Sequence, residues 1–139
     1  MSAVAPRWRF KLATDWLATV TALSVVAVDE GYTYSASDEF LDDVSIDTVG
    51  DVAVLPSPAI SIVSGAVWLQ VDDDPAIELE GIPAETDVTG LWVFDDTGVE
   101  STSRLVAFIT HLSDTTPLAF RANGGTYLLT FPGGWVVRL

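Results

Sequence analysis

The chain contains one histidine, His111, and Ser113 and Asp114 follow it closely. An imidazole, a hydroxyl and a carboxylate are the groups of nucleophilic catalysis, in which the histidine must hydrogen-bond to both partners. Such triads are assembled in space from separate elements, whereas these three residues follow one another at a single strand end. We therefore predict that His111 is a surface or half-buried histidine and not a catalytic base.

A second candidate for chemistry is Asp96-Thr97-Gly98, which follows an apolar run. It resembles the active-site turn of the aspartic proteases, in whose small dimeric members two such turns meet and share a proton between carboxylates. This chain departs from that pattern because Asp95 precedes the motif and Val99-Glu100 follows it. Aspartate and glycine are also ordinary turn residues. We predict a hairpin turn and keep a dimeric aspartic protease using Asp96 as an alternative.

Metal and phosphate sites have weak support in the sequence. Asp72-Asp73-Asp74 could offer oxygen ligands to calcium, but the segment lacks the glycine and distal glutamate of an EF-hand loop, and we predict a solvated turn. The absence of cysteine excludes thiolate ligands. The glycine pairs at 124–125 and 133–134 are typical of turns. The sequence thus predicts no enzyme, no metal and no cofactor.

Composition restricts the partners further. The 139 residues carry a formal net charge of −14 with six Lys plus Arg, and such a field repels phosphate backbones, so we predict no nucleic-acid binding. With 49% hydrophobic residues, the chain has enough apolar material for one folded domain. The uncharged run 16–28 is too short to span a bilayer, and Asp15 interrupts any signal-peptide pattern. We predict neither a membrane span nor a cleaved signal.

The segment that must position any site is 91–109, where two apolar runs flank a turn-forming stretch. This pattern predicts a β-hairpin with a long loop. Neither run alternates with polar residues, so we expect both faces of each strand to be covered. Further short strands with turn signals between them are predicted at residues 21–28, 46–55, 59–63, 66–71, 77–82, 118–120, 126–131 and 135–139.

Two local features complete the fold prediction. Residues 35–44 change period, with Phe40, Leu41 and Val44 on one helical face, which predicts a helix of about two turns. Pro132-Gly133-Gly134 predicts a type II turn that joins the last two strands as a hairpin. The predicted fold class is all-β: a single-domain antiparallel β-sandwich or barrel with one short helix.

The N-terminal segment is set apart by its charge. Residues 7–12 alternate strictly between basic and apolar side chains and contain half of the basic residues. The alternation predicts a strand, either an edge strand with a solvated basic face or an arm that docks on an acidic neighbour. We therefore divide the chain into an N-terminal arm and first strand, 1–12, and a single β domain, 13–139.

Several motifs, taken in order, resemble a family of small virion proteins of tailed bacteriophages. They are the strand 23–28 followed by Gly31-Tyr32-Thr33, the segment 39–44, the hairpin 91–109 and the final segment 125–139. The match is loose between residues 46 and 85 and absent in the basic N-terminal segment. In that family the Asp-Thr-Gly lies in a hairpin loop with no known catalysis.

The resemblance implies a capsid decoration, or cement, protein. Such a protein, made in the host cytoplasm, binds the exterior of the virion shell, bridges subunits of the major capsid protein and is usually a homotrimer. Aromatic and arginine side chains are enriched at interface hot spots. We therefore predict the capsid contacts at the arm residues Arg7, Trp8, Arg9, Phe10 and Lys11.

Two alternative interpretations of the function stay open. A tail or head–tail connector component of the virion would have six- or twelve-fold rings in place of trimers. A secreted sugar-binding sandwich could use Trp68, Trp92 or Trp135 for stacking, although their apolar neighbours favour positions in the core.

Overall fold

The computed structural model describes residues 6–72 and 76–139. The described structure is 42% strand and 15% helix, which confirms the predicted all-β class. One α-helix, α1, spans Pro6–Leu17, and single 3-10 turns lie at Leu41–Asp43, Ser45–Asp47 and Pro132–Gly134. The strands are β1 Leu23–Asp29, β2 Thr48–Val54, β3 Ala59–Val63, β4 Ala66–Gln70, β5 Ile77–Leu79, β6 Asp87–Asp95, β7 Leu105–Ile109, β8 Phe120–Arg121, β9 Tyr127–Leu129 and β10 Trp135–Arg138.

The described strands form three antiparallel sheets. The largest has the order β2-β1-β6-β7, with β8 paired to the start of β6. A second sheet has the order β10-β4-β3, and β5 pairs with β9 in the third. The strands β7 and β10 therefore lie at the edges of their sheets, and this arrangement matters for the surface described below.

The strands β1 and β6 form the centre of the molecule. The sequence predicts the hairpin 91–109 for this place, but only its first strand, β6, lies there, because β7 is a mostly half-buried strand at the edge of the sheet. Val25 and Val93 face the main core between the sheets, whereas Val26 and Trp92 face a smaller second core on the opposite side. Because side chains alternate along a strand, both faces of the buried part of β6 must be apolar, and this explains why residues 91–94 contain no polar position. The predicted hairpin is confirmed by the pairing of β6 with β7.

Residues 35–44, which cover the second core, do not form the predicted helix. Leu41 and Val44 are buried there, but Leu41 begins a 3-10 turn and Val44 lies between the two 3-10 turns, so no two-turn helix forms. Asp43 Oδ2 accepts hydrogen bonds from the backbone N–H groups of Glu39 and Phe40 at 2.9 and 3.0 Å, and these bonds hold the pKa of Asp43 below its ordinary value of 3.8. The side chain thus competes with a regular helix for the backbone donors.

The predicted N-terminal strand is wrong, because residues 6–17 form α1 and the helix runs across residue 12. Proline at the first position suits a helix start. Lys11 Nζ donates to Asp15 Oδ2 at 2.7 Å, a pairing that residues four apart make only on a helix. Trp16 and Leu17 pack on the main core, and their burial fixes the helix.

The predicted terminal hairpin is also wrong. The strand β9 pairs with β5, and β10 pairs with β4. The segment Pro132–Gly134 carries the chain from one sheet to the other as a 3-10 turn, with Gly133 and Gly134 at positive φ. Tertiary pairing therefore decides the partners of these strands, although the turn residues suit a local hairpin.

Candidate docking surface

Helix α1 presents half of the basic residues of the chain on one side of an acidic molecule. Arg7 and Lys11 are exposed, and Lys11 is engaged with Asp15 on the same helix. Since successive helical residues are about 100° apart, the basic and aromatic residues do not form the two separate faces that a strand would give them. The basic and apolar side chains are instead distributed around the exposed part of α1.

Two open grooves flank α1. The first, of about 550 Å³, brings together Arg7 and Phe10, two of the predicted contact residues, with Ile62, Ser64 and Gly65. The second, of about 300 Å³, is almost entirely apolar and is lined by Arg9, Leu12, Ala13, Trp16, Val106 and Leu139. Leu12 and Ile62 are 49% and 41% exposed, so each groove has apolar surface that a partner could cover.

The structure thus separates the predicted contact residues into two groups. Arg7 and Phe10 line one groove, and Arg9 lines the other. Lys11 is exposed beside Asp15, and the side chain of Trp8 lies outside the described part of the chain. The apolar partners of the grooves come from β3, β7 and the end of the chain, which no local pattern at the N-terminus could predict.

The loop at Asp96-Thr97-Gly98 is held by its own hydrogen bonds. Asp96 Oδ1 accepts from the Gly98 N–H at 2.8 Å, as in an Asx turn. The fully buried Ser103 accepts from the Thr97 N–H at 3.1 Å and donates to the Val99 carbonyl at 2.9 Å. The Asp96 carboxylate therefore serves the turn, as the hairpin interpretation predicts.

This turn gives a first prediction. Asp96→Ala is expected to lower the free energy of unfolding by about 0.5–1.5 kcal/mol, because the Gly98 N–H loses its acceptor. Asp96→Asn keeps an oxygen at the same place and is expected to cost less. Urea unfolding followed by tryptophan fluorescence measures both variants. A peptidase activity at mildly acidic pH that Asp96→Asn abolished would contradict this assignment and support the aspartic protease.

The residues of the considered triad, His111, Ser113 and Asp114, each have a different hydrogen-bond partner. His111 Nδ1 lies 3.0 Å from Thr110 Oγ1, and Ser113 Oγ donates to the Pro132 carbonyl at 3.4 Å. Asp114 accepts from the Thr116 N–H at 3.0 Å, and hydrogen bonding to Thr116 lowers the pKa of its carboxyl group. His111 is exposed, as predicted.

The tryptophans of the sugar-binding interpretation lie in different surroundings. Trp92 is 4% exposed and belongs to the second core, where Tyr32, Tyr34 and Phe108 surround it. Burial, followed by its hydrogen bond to Asp38, raises the pKa of Tyr32 to about 12. Two half-buried tryptophans, Trp68 and Trp135, meet edge to face on the β10-β4-β3 sheet with centroids 5.9 Å apart.

Two further features were sought in residues 6–72 and 76–139, a cluster of metal ligands and a membrane-spanning helix. No group of three or more His, Asp or Glu side chains there could hold a metal ion, and Asp73 and Asp74 of the aspartate run lie outside this part. None of the described helices is long and apolar enough to cross a membrane. Comparison with protein-family models, curated proteins and solved structures found no match.

Proposed function

We propose that the protein is a structural component of a tailed-phage virion, a capsid decoration protein that binds the outer surface of the shell and stabilises it. The observation that supports this function best is the placement of α1. Half of the basic residues lie on one helix between two grooves with apolar walls, on a chain with a net charge of −14. A basic helix with apolar surface beside it fits an acidic, partly apolar partner.

The proposed mechanism is mechanical. A stable protein interface buries roughly 1,600 Å² in total, so a decoration protein adds contact area between neighbouring capsid subunits without breaking or forming covalent bonds. The cores on both faces of β1 and β6 suit this role, because a well-packed body loses little conformational freedom on binding. We propose a homotrimer of this chain, with the major capsid protein as its partner.

Charge reversal on α1 tests the proposal. Arg7→Glu with Lys11→Glu is expected to weaken binding to undecorated shells of the encoding phage by about tenfold or more, since exposed interface charges then repel an acidic partner. Arg104→Glu with Arg121→Glu is the matched control, because it replaces two exposed basic residues that line neither groove beside α1 and gives the same net charge. Co-sedimentation with the shells measures the affinity of each variant.

The control is expected to bind within about twofold of the unmodified chain. Equal weakening of the two double variants would contradict docking through α1, and absence of the protein from purified virions would contradict the function itself. Mass photometry of the purified protein separates the head from the tail alternative. A trimer supports decoration, whereas a six- or twelve-fold ring supports a tail or connector component.

A further inference from the structure

A third groove lies apart from α1, between the end of β7 and the strand β10. It has a volume of about 340 Å³ and is open to solvent along one side. Its lining residues include the aromatic Trp68 and Phe108 and the polar His111 and Arg138, and the Phe108 ring also packs on Trp92 in the second core. We call it the β7–β10 cleft.

The outer edge of β10 faces away from its only partner strand among the described residues. The Leu139 N–H donates to the Val67 carbonyl, and the Gly134 carbonyl accepts from the Val71 N–H, so these groups point toward β4 and its flanks. Alternation along the strand then directs the N–H and C=O of Arg138 away from β4. An edge with such groups is a template for an added strand.

The charges around the cleft indicate which kind of added strand it could bind. The chain has 20 Asp plus Glu, yet none of the described ones lines this cleft or the two grooves beside α1. Arg138 is exposed, and no carboxylate of the described residues lies within ion-pair distance of it. It pairs across the sheet with Trp68, and directly opposite residues share one face. The cleft therefore combines a guanidinium with an aromatic wall.

We propose that the β7–β10 cleft binds an extended acidic segment of a partner protein, which adds as a strand to the outer edge of β10. Its carboxylates lie beside Arg138, whose guanidinium can donate two parallel hydrogen bonds to one carboxylate. The apolar side chains, which alternate with the carboxylates along the bound segment, point into the β7–β10 cleft toward Ile109 and Val136. Long-range repulsion from the acidic chain acts weakly here, because the Debye length is about 8 Å at physiological salt. The proposal does not depend on which assembly supplies the segment.

A short fluorescent peptide of alternating valine and glutamate tests the cleft with the full chain. We expect saturable binding by fluorescence anisotropy, and Arg138→Glu is expected to weaken it by about tenfold or more. Arg121→Glu is the matched control, since it gives the same net charge on another exposed strand, and it is expected to change the affinity less than about twofold. N-methylation of alternate peptide bonds is expected to abolish binding, because it removes the strand donors.

Several results would overturn the proposal. Equal weakening by Arg138→Glu and Arg121→Glu would show that only the overall field acts on the peptide. Undiminished binding of the N-methylated peptide would exclude strand addition. Tighter binding of a valine–lysine peptide would exclude selectivity for an acidic segment. Failure of the acidic peptide to bind, with a cello-oligosaccharide bound and lost in Arg138→Glu, would assign the cleft to a sugar.

Discussion

Gly134→Ala is expected to lower the free energy of unfolding by about 3–5 kcal/mol. A Cβ added to this residue would lie 2.2 Å from the Val71 carbonyl oxygen, a separation that the backbone must open. The residue also has a φ of +80°, which disfavours any L side chain. If the backbone at either residue moves apart, the 2.8 Å hydrogen bond from the Val71 N–H to the Gly134 carbonyl breaks. Urea unfolding followed by tryptophan fluorescence measures the loss.

Gly98→Ala is the matched control for this substitution. Gly98 has nearly the same backbone conformation, with a φ of +84°, but an added Cβ would have no atom within 4 Å. It is therefore expected to cost only the conformational part, about 1–2 kcal/mol. If both variants lost the same stability, the close approach of β10 to the chain after β4 would carry no energetic weight, and the assigned pairing of β10 would be in doubt.

The centre of the fold could be predicted because its signal is local and strong. Val25, Val26, Trp92 and Val93 are all apolar, and an unbroken apolar run in a β-rich chain requires cover on both faces. The turn at Asp96-Thr97-Gly98 could be predicted for the same reason, since its side chain and backbone bond within three residues. In both places the local preference and the tertiary structure agree.

The N-terminal helix could not be predicted from the window 7–12, which fits a strand. The helical signal lies beyond that window, in Ala13, Trp16, Leu17 and Val20, whose three- and four-residue spacings place them on one face. A window extended to residue 20 would have favoured the helix. The contact residues stay a prediction, whereas the strand faces assigned to them were wrong because the segment is a helix.

The β7–β10 cleft could not be predicted from local sequence patterns. Trp68, Phe108 and Arg138 are far apart in the sequence, and only the pairing of β10 with β4 brings the first and last together. The glycine-rich turn at 132–134 favoured a hairpin, which would have paired β10 with β9. Non-local pairing depends on the packing of whole sheets, and no signal of it exists in single segments.

Phe94→Ala is expected to lower the free energy of unfolding by about 3–5 kcal/mol, because the ring is 0% exposed and its removal leaves a cavity at the centre of the second core. Phe94 pairs with Ser24 on β1 and with Leu105 on β7, so the cavity weakens the cover of three strands. Thermal and urea unfolding, followed by circular dichroism, measure the loss of stability.

Phe40→Ala deletes the same side chain at a half-buried site, where the ring lies under the Arg104 guanidinium at 4.9 Å, and it is expected to cost about 1 kcal/mol. The difference between the two variants isolates the effect of burial on β6. A loss for Phe94→Ala no larger than that for Phe40→Ala would mean that the second core does not hold the centre of the sheet. The rigidity that the proposed capsid stabilisation requires would then have to come from the main core alone.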